Sequence, residues 1–454
     1  MTDQSNASTL RRLVPLSGIL CATVLLSACQ EPEIILPGKR EPISSVLQTQ
    51  DTAAQQTTVV SENQSLAFSA PAVSSNSEWT HGIGTPAYRT LHPALSSNPQ
   101  LAWTNNIGAG DSRRQRITAD PVVADGRIFT LDAAAQVAAT SLTGATLWTH
   151  DVRISGDDAD EATGGGMAEA DGVLYVATGF GGLLALDTET GARLWTQELD
   201  ATGSGRPTVF GDLVYVVAGD NTGWAVEKDT GRVAWQVDAA EDVGNVLGAP
   251  APVLVDNLAV FSFGSGELQA VFRQGGLRRW DASVLGERQG RALSKVDDVT
   301  GIPVAVDGVI YAGSQAGRTV AINAGSGLRI WTAREGAIDT VLPVGGSVFT
   351  VSDLNELVRL DATDGSRIWG VPLPNFVKTR RPWRASEVVA HHGPILAGGQ
   401  LLVASNDGVL RAFDPVDGSL LSETDIPGGA STTPVVAGGV LYLVNTKGQL
   451  LAFR

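Results

Sequence analysis

The sequence predicts an all-β fold, an eight-bladed β-propeller of four-stranded antiparallel blades. Three observations indicate it: a phrase ending in tryptophan recurs, its turn glycines mostly lie roughly 40 to 50 residues apart, and one strand without a turn of its own precedes the array. The phrase is most complete at residues 186–195 and 360–369. One structural unit is therefore repeated along the chain.

Each unit ends in a turn and a strand whose residue types explain one another. In the Asp-x-x-Thr-Gly turn, aspartate accepts local backbone hydrogen bonds and glycine can adopt a positive φ. The next strand carries the tryptophan, which we expect to pack between neighbouring blades. These tryptophans are Trp103, Trp148, Trp195, Trp235, Trp280, Trp331 and Trp369.

Seven complete units can be placed along the chain, and an incomplete one follows them. The complete units cover roughly residues 115–155, 162–200, 205–240, 248–285, 300–335, 340–373 and 390–426. The incomplete unit, at about 431–454, lacks its final strand. Residues 100–105 contain Trp103 but no preceding turn. We therefore expect this N-terminal strand to pair with the C-terminal blade and to close the ring.

Composition excludes several classes of function. The formal net charge is −16 over 454 residues. An acidic surface repels phosphate groups, which argues against binding to nucleic acid or to anionic lipid. Both cysteines, Cys21 and Cys29, lie within the first thirty residues. The propeller can therefore contain neither a disulfide nor a thiolate metal site.

Residues 1–28 have the pattern of a secretion signal. Two arginines precede an apolar stretch, residues 13–26, which is too short to span a bilayer comfortably and leads into Leu-Ser-Ala before Cys29. This ending resembles the bacterial lipobox, which implies that Cys29 carries lipid as the mature N-terminus. By the same resemblance, the residue after the lipidated cysteine directs sorting: aspartate there favours retention in the inner membrane. Gln30 therefore implies the outer membrane. The alternative is an ordinary cleaved signal peptide with a chance cysteine.

Residues 29–98 are assigned to the lipidated N-terminus and a flexible tether, and residues 99–454 to the propeller. From about residue 31 to residue 77 the chain is rich in Ser, Gln, Thr, Ala and Pro and has little periodicity. A segment of that composition cannot bury a core of its own.

A lipobox, a polar tether and eight such repeats together resemble the BamB lipoproteins of the outer-membrane β-barrel assembly machinery. In that family the propeller is a non-catalytic scaffold that binds the POTRA domains of the barrel protein BamA. The resemblance implies the same partner here, with unfolded barrel precursors as further clients. It implies a location at the periplasmic face of the outer membrane, with no catalytic residue, no metal and no cofactor besides the lipid on Cys29.

One of the family's two contact loops has a good counterpart. Residues 293–298 read Leu-Ser-Lys-Val-Asp-Asp and resemble the family's acidic stretch ahead of a Pro-Val strand. The resemblance assigns Leu293, Asp297, Asp298 and the nearby Arg291 to the interface with BamA. A paired acid in a solvated turn is the ordinary alternative.

The other contact loop matches only in part. Residues 245–250 keep an apolar pair, Val246 and Leu247, ahead of Ala-Pro, but the family's arginine has no clear counterpart. The resemblance assigns the pair as an apolar anchor for BamA. Alternatively, the two residues begin the inner strand of a blade.

A second interaction loop is indicated in the long connection after Trp369. Arg380, Arg381 and Trp383 combine cations with an aromatic side chain, a composition suited to gripping another surface. The alternative is a solvated loop whose tryptophan packs back on the rim.

The same repeat occurs in quinoprotein dehydrogenases that bind pyrroloquinoline quinone and calcium, which are the alternative function. Such an enzyme is expected to carry calcium ligands, a catalytic aspartate and often paired cysteines. His391 and His392 are adjacent in the sequence, so in a strand they point to opposite faces, and no third ligand is spaced to join them. No motif for nucleophilic or acid-base catalysis is evident.

Overall fold

A computed structural model describes residues 63–153, 164–202, 205–239, 249–286, 288, 299–376 and 388–454. These residues form eight four-stranded antiparallel sheets, and the prediction of an eight-bladed propeller is confirmed. The part of the chain from residue 61 to residue 454 is one compact unit. Within the described ranges, no helix is long and apolar enough to cross a membrane.

The strands of blades 1 to 4 run from the inside outward in sequence order. They are β2 (Val122–Ala124), β3 (Arg127–Leu131), β4 (Gln136–Ser141) and β5 (Thr146–Asp151); β6 (Gly165–Ala170), β7 (Val173–Thr178), β8 (Gly182–Asp187) and β9 (Arg193–Glu198); β10 (Thr208–Phe210), β11 (Leu213–Val217), β12 (Thr222–Glu227) and β13 (Val233–Asp238); β14 (Val253–Val255), β15 (Leu258–Ser262), β16 (Glu267–Phe272) and β17 (Arg278–Ser283).

Blades 5 to 7 repeat this order, and blade 8 takes its outer strand, β1 (Leu101–Asn106), from the N-terminal side. The remaining strands are β18 (Val304–Val306), β19 (Val309–Ser314), β20 (Arg318–Asn323) and β21 (Arg329–Ala333); β22 (Leu342–Val344), β23 (Ser347–Val351), β24 (Glu356–Asp361) and β25 (Arg367–Pro372); β26 (His391–Ala397), β27 (Gln400–Ser405), β28 (Val409–Phe413) and β29 (Leu420–Asp425); β30 (Val435–Ala437), β31 (Val440–Val444) and β32 (Gln449–Phe453).

Burial follows the position of a strand in its blade. The two middle strands are almost wholly buried, as in β7 and β8, because both of their faces pack against neighbouring blades. Five outer strands alternate between exposed and half-buried residues, as β9 does, whereas β25, on which the strap begins, is largely buried. The hydrophobic core therefore lies between the blades, in clusters that each draw on adjacent sheets.

The ring closes as the sequence predicts. Strand β1 pairs antiparallel with β32, with Trp103 opposite Ala452. Two further backbone hydrogen bonds join Gln100 and Arg454, at 2.7 and 2.9 Å. Because strands from both ends of the array form one sheet, the ring is closed and every blade packs against a blade on each side.

Each of the seven repeat tryptophans, from Trp103 to Trp369, lies against the turn glycine of the next blade. A Cβ added to Gly365 would lie 2.5 Å from Cε3 of Trp331, and Gly365 has a φ of +74°. A side chain at this turn would therefore both clash and be strained. The Trp331 indole N–H donates a hydrogen bond to the carbonyl of Ala362, three residues before the glycine, at 2.9 Å. The four interfaces from that between blades 1 and 2 to that between blades 4 and 5 repeat both contacts.

The remaining interfaces depart from this arrangement for visible reasons. The blade 1 turn is one residue shorter, and Nε1 of Trp103 has no hydrogen-bond partner among the described residues. Between blades 6 and 7, Arg359 donates to the carbonyl of Pro415, which occupies the acceptor position, at 3.1 Å. Blade 7 has Ser422 in place of tryptophan, and blade 8 ends at Arg454 without the matching turn. The tryptophan is thus missing where its glycine is missing.

The tether assignment is corrected for residues 63–98, here called the strap, because they pack against the propeller. The strap begins on the outer strand of blade 6, where the N–H of Gln64 donates to the carbonyl of Ile368 at 2.9 Å. The Phe68 ring packs edge-on against Phe349 with centroids 5.5 Å apart. Composition did not predict this because the strap forms no core of its own: its first part lies exposed on the propeller, and residues such as Trp79, His81 and Arg89 are buried by the propeller walls.

The middle of the strap crosses the central channel. Trp79 pairs with Val123 of β2 through two backbone hydrogen bonds of 2.8 and 2.9 Å. Arg89 is 5% exposed. Its guanidinium donates to three carbonyls near the inner strands of blades 6 and 7, those of Thr340, Val341 and Pro394, at 3.2, 2.7 and 2.9 Å. The strap therefore links the inner strand of blade 1 to those of blades 6 and 7.

His81, in the strap, makes the free energy of unfolding depend on pH. Nε2 of His81 accepts the Val209 N–H at 3.1 Å, so the neutral ring is the bound form. Burial lowers the pKa of His81 to about 3. Between pH 6.5 and 3 the unfolded chain therefore binds a proton at this histidine that the folded chain does not, and stability falls as pH falls.

We expect His81→Gln, whose amide oxygen can accept the same N–H, to lower this pH dependence. Urea unfolding at pH 6 and pH 4 measures it, and the difference in proton uptake between wild type and variant should be about one proton. Identical pH dependence in the two proteins would contradict the assignment of a neutral, buried His81.

Candidate functional site

All eight inner strands begin at the same end of the channel, here called the cavity face. The segments entering them surround a cavity of about 380 Å³. Every blade contributes at least one side chain or backbone group to its wall. Representative wall residues are Thr118, Gly165, Arg206, Pro250, Thr300, Asp339, His392 and Thr433.

Arg206, Asp120 and Asp339 in this cavity already have ion-pair or hydrogen-bond partners. Arg206 and Asp120 form an ion pair with an N–O distance of 2.5 Å. The Thr433 N–H donates to the second oxygen of Asp120 at 2.8 Å. Asp339 accepts from the Gly393 N–H at 2.7 Å and from the Thr433 hydroxyl at 2.9 Å. The wall is therefore a closed polar network rather than a set of free reactive groups.

Burial shifts the pKa values of the cavity groups. It raises the pKa of Asp120 above its ordinary value, and the positive charge of Arg206 opposes the shift. It lowers the pKa of His392, against the attraction of Asp339 and Asp120. Desolvation is the largest cause of both pKa shifts. Since both carboxylates are also held by hydrogen bonds, the shifts do not indicate a tuned acid-base pair.

The described part of the cavity lacks the residues that a quinone cofactor with calcium would need. Pyrroloquinoline quinone is a tricarboxylate, and such an anion needs several cations. Of the described wall residues, Arg206 supplies the one guanidinium, and it is paired with Asp120. Across the described ranges, no group of three His, Cys, Asp or Glu side chains is placed to hold a metal ion. These wall residues do not fit the cofactor.

The sequence-predicted interface residues lie outside the described residues. This applies to Val246, Leu247, Arg291, Leu293, Asp297, Asp298, Arg380, Arg381 and Trp383, and also to Cys29. Ala249, Val299 and Ala390 each follow one of the segments, and all three line the cavity.

Sequence reasoning missed the cavity network and the strap contacts. Asp120 and Arg206 each lie two residues before their inner strands, and Asp339 lies three residues before its own. Because the positions carry opposite charges and are not all equivalent, no repeated residue type marks the network in the sequence. A weak signal for the strap exists in residues 79–92, where a tryptophan, two histidines and an arginine interrupt the polar composition.

Comparisons with known proteins agree with this architecture. The family model described as outer membrane protein assembly factor BamB matches residues 133–371 and 378–454. A protein of that name from Escherichia coli is 25% identical over 361 residues, which cover 78% of this chain and 88% of the relative. One from Shewanella oneidensis is 24% identical over 361 residues, with the same coverage.

Solved structures show the shared fold. The crystal structure of BamB from Moraxella catarrhalis has a TM-score of 0.64 at 17% identity and covers 78% of this chain and 99% of that one. A quinohemoprotein alcohol dehydrogenase from Pseudomonas putida has a TM-score of 0.62 at 16% identity, covering 84% of this chain and 80% of that one. The fold alone therefore does not separate scaffold from enzyme. The family model spans well over half of the chain, and the protein accordingly belongs to the outer membrane protein assembly factor BamB family.

Proposed function

We propose that the protein is a non-catalytic scaffold of the outer-membrane β-barrel assembly machinery and binds the POTRA domains of the barrel protein BamA. The family match over residues 133–371 and 378–454 carries this proposal. A scaffold requires a rigid body that presents loops, and a ring closed by β1 and β32 supplies one. The engaged polar network of the cavity and its poor fit to a quinone support a function without turnover.

We place the interface with BamA on residues 246–247 and 291–298. Val246 and Leu247 would supply an apolar anchor, while Asp297 and Asp298 accept hydrogen bonds from basic side chains of the partner. Arg291 and Leu293 belong to the same contact. In support, the described residues that follow these segments, Ala249 and Val299, line one cavity and enter adjacent blades.

A second contact involves Arg380, Arg381 and Trp383, which join cations to an aromatic ring. Ala390, further along the chain, lies at the cavity face. Unfolded barrel precursors are proposed as clients of the scaffold. An extended precursor presents alternating apolar side chains and unpaired backbone groups, which suit loops and sheet edges.

The protein is proposed to act at the periplasmic face of the outer membrane with lipid on Cys29. Each buried acyl carbon contributes about 0.8 kcal/mol, and one chain holds a protein only marginally. Several chains on Cys29 would hold the propeller near the membrane that its partner spans.

A quadruple variant tests the placement of the interface. We expect Val246→Ser, Leu247→Ser, Asp297→Ala and Asp298→Ala together to lower the recovery of BamA in co-purification about tenfold or more, since an interface core loses its anchors. Quantitative mass spectrometry of the purified material measures it. Thermal melting should remain close to wild type.

The matched control carries Asp364→Ala and Asp417→Ala, which remove two exposed acids from turns at the opposite end of the propeller. Its recovery of BamA should equal that of wild type. Undiminished recovery with the quadruple variant, or equal loss with the control, would refute this interface.

The alternative function, a quinone-dependent dehydrogenase, shares the fold. Purified protein mixed with pyrroloquinoline quinone and calcium distinguishes the two functions. We expect no saturable change in the absorption spectrum and no dye reduction with alcohols. Saturable binding with dye reduction would favour the enzyme.

A further inference from the structure

A groove opens on the face opposite the cavity, between the first turn of blade 3 and the last turn of blade 4. Its volume is about 600 Å³. We call it the aromatic groove and define it by Phe210, Gly211, Tyr215, Asn257, Arg273 and Leu277. Phe210 is 38% exposed and Leu277 is 70% exposed. An apolar surface is therefore open to solvent where two blades meet.

Phe210 is unusual among the eight blades. It is the last residue of β10, and the inner strands of the other seven blades end in alanine or valine: Ala124, Ala170, Val255, Val306, Val344, Ala397 and Ala437. The guanidinium of Arg273 lies 4.6 Å from the centroid of the Phe210 ring. An exposed aromatic ring under a cation is a composition suited to binding rather than to packing within the blade.

The pseudo-symmetric position between blades 6 and 7 already holds an extended peptide, the strap itself. Arg359 donates to the carbonyls of Leu66 and Ala67 at 2.8 and 3.1 Å, and it lies 5.6 Å from the centroid of Phe68. A Cβ added to Gly345 would meet the Ser69 carbonyl oxygen at 2.5 Å. The chain thus shows which kind of ligand an interblade position of this type accepts.

The two positions share their glycine and their aromatic ring, whereas the arginine comes from a different place: Arg359 lies in the third strand of blade 6 and Arg273 in the last turn of blade 4. Tyr215 is the third residue of β11, as Phe349 is of β23. Each ring packs against the tryptophan of its own blade, with centroids 5.9 and 5.8 Å apart. Gly211 corresponds to Gly345, yet no described atom lies within 4 Å of a Cβ added there. The aromatic groove is therefore the open counterpart of the position that the strap fills.

We propose that the aromatic groove binds an extended segment of another polypeptide that carries an aromatic side chain flanked by small residues, as the strap does at Phe68. The aromatic ring of the ligand packs against Phe210 and Leu277. One nitrogen of Arg273 already donates to the Asp256 carbonyl at 2.6 Å, and the remaining donors of this guanidinium bind the backbone carbonyls of the ligand. The groove lies on the face opposite the cavity, and none of its lining residues belongs to the segments assigned to BamA. The proposal therefore goes beyond the scaffold interface.

The test uses a fluorescein-labelled peptide with the sequence of residues 63–71 and measures its anisotropy with the mature protein. We expect saturable binding that Phe210→Ala and Leu277→Ser each weaken about tenfold or more. Alanine ends the corresponding strand in four other blades, so Phe210→Ala should fold. Leu328→Ser is the matched control, because Leu328 is 71% exposed at the same turn position of blade 5. It should leave binding unchanged.

Three results would overturn the proposal. The wild-type protein would fail to bind the peptide saturably, or the peptide would bind equally after its own phenylalanine is replaced by alanine. The third such result is that Phe210→Ala leaves peptide binding intact, which would place the peptide at the position between blades 6 and 7 that the strap occupies. Sedimentation velocity adds a fourth such outcome: a dimer that Phe210→Ala converts to a monomer would make the groove a contact between copies of this chain.

Discussion

Trp331→Ala should destabilise the propeller by about 3–5 kcal/mol, the usual cost of truncating a buried tryptophan to alanine. Trp331 is 7% exposed. Its ring covers Gly365, its indole N–H is bonded to the Ala362 carbonyl, and its ring centroid lies 6.0 Å from that of Tyr311. The substitution removes all three contacts from the interface of blades 5 and 6. The midpoint of urea unfolding measures the loss.

Ser422→Ala is the control for this prediction, because Ser422 occupies the same strand position in blade 7. No tryptophan contact exists there to be lost, so its midpoint should shift little, within about 0.5 kcal/mol. Equal destabilisation by the two substitutions would show that the strand position, and not the tryptophan–glycine contact, sets stability.

Arg89→Met should destabilise the protein by about 3 kcal/mol. Hydrogen bonds to a charged donor contribute more than neutral ones, and their loss leaves buried carbonyls unsatisfied. Arg89 makes three of these bonds at the inner strands of blades 6 and 7. Burial lowers its pKa to about 10, which leaves the guanidinium charged at neutral pH. Thermal melting at pH 7 measures the effect.

Arg113→Met provides the comparison for Arg89, since Arg113 is exposed and lies outside the strap. Its melting temperature should match that of wild type. A wild-type melting temperature for Arg89→Met would mean that the strap contributes nothing to the closed ring.

The repeat made the fold predictable in detail. A tryptophan and a turn glycine meet across seven of the eight interfaces, so their spacing in the sequence marks the blades, and Trp103, which has no preceding turn, marks the closure of the ring. The strap was not predictable by the same reasoning. His81 and Arg89 are buried because the channel walls accept their polar atoms, and nothing within residues 63–98 alone specifies those walls.

The candidate site was predictable only as a set of loops. The resemblance assigns Asp297, Asp298, Val246 and Leu247 to a partner, while the described cavity places the adjoining residues Ala249 and Val299 at one face. The ion pair of Arg206 and Asp120 joins blades 1 and 3. A contact between residues that far apart depends on the diameter and order of the ring, which local patterns do not encode.

Purification of the tagged protein from gently solubilised outer membranes, expressed at its native level, tests the central claim most directly. Mass spectrometry should find BamA in stoichiometric yield with the wild-type chain, and Cys29→Ala should shift the protein out of the membrane fraction. Absence of BamA, together with a quinone-dependent dehydrogenase activity in the purified protein, would contradict the assignment of this propeller as an assembly scaffold.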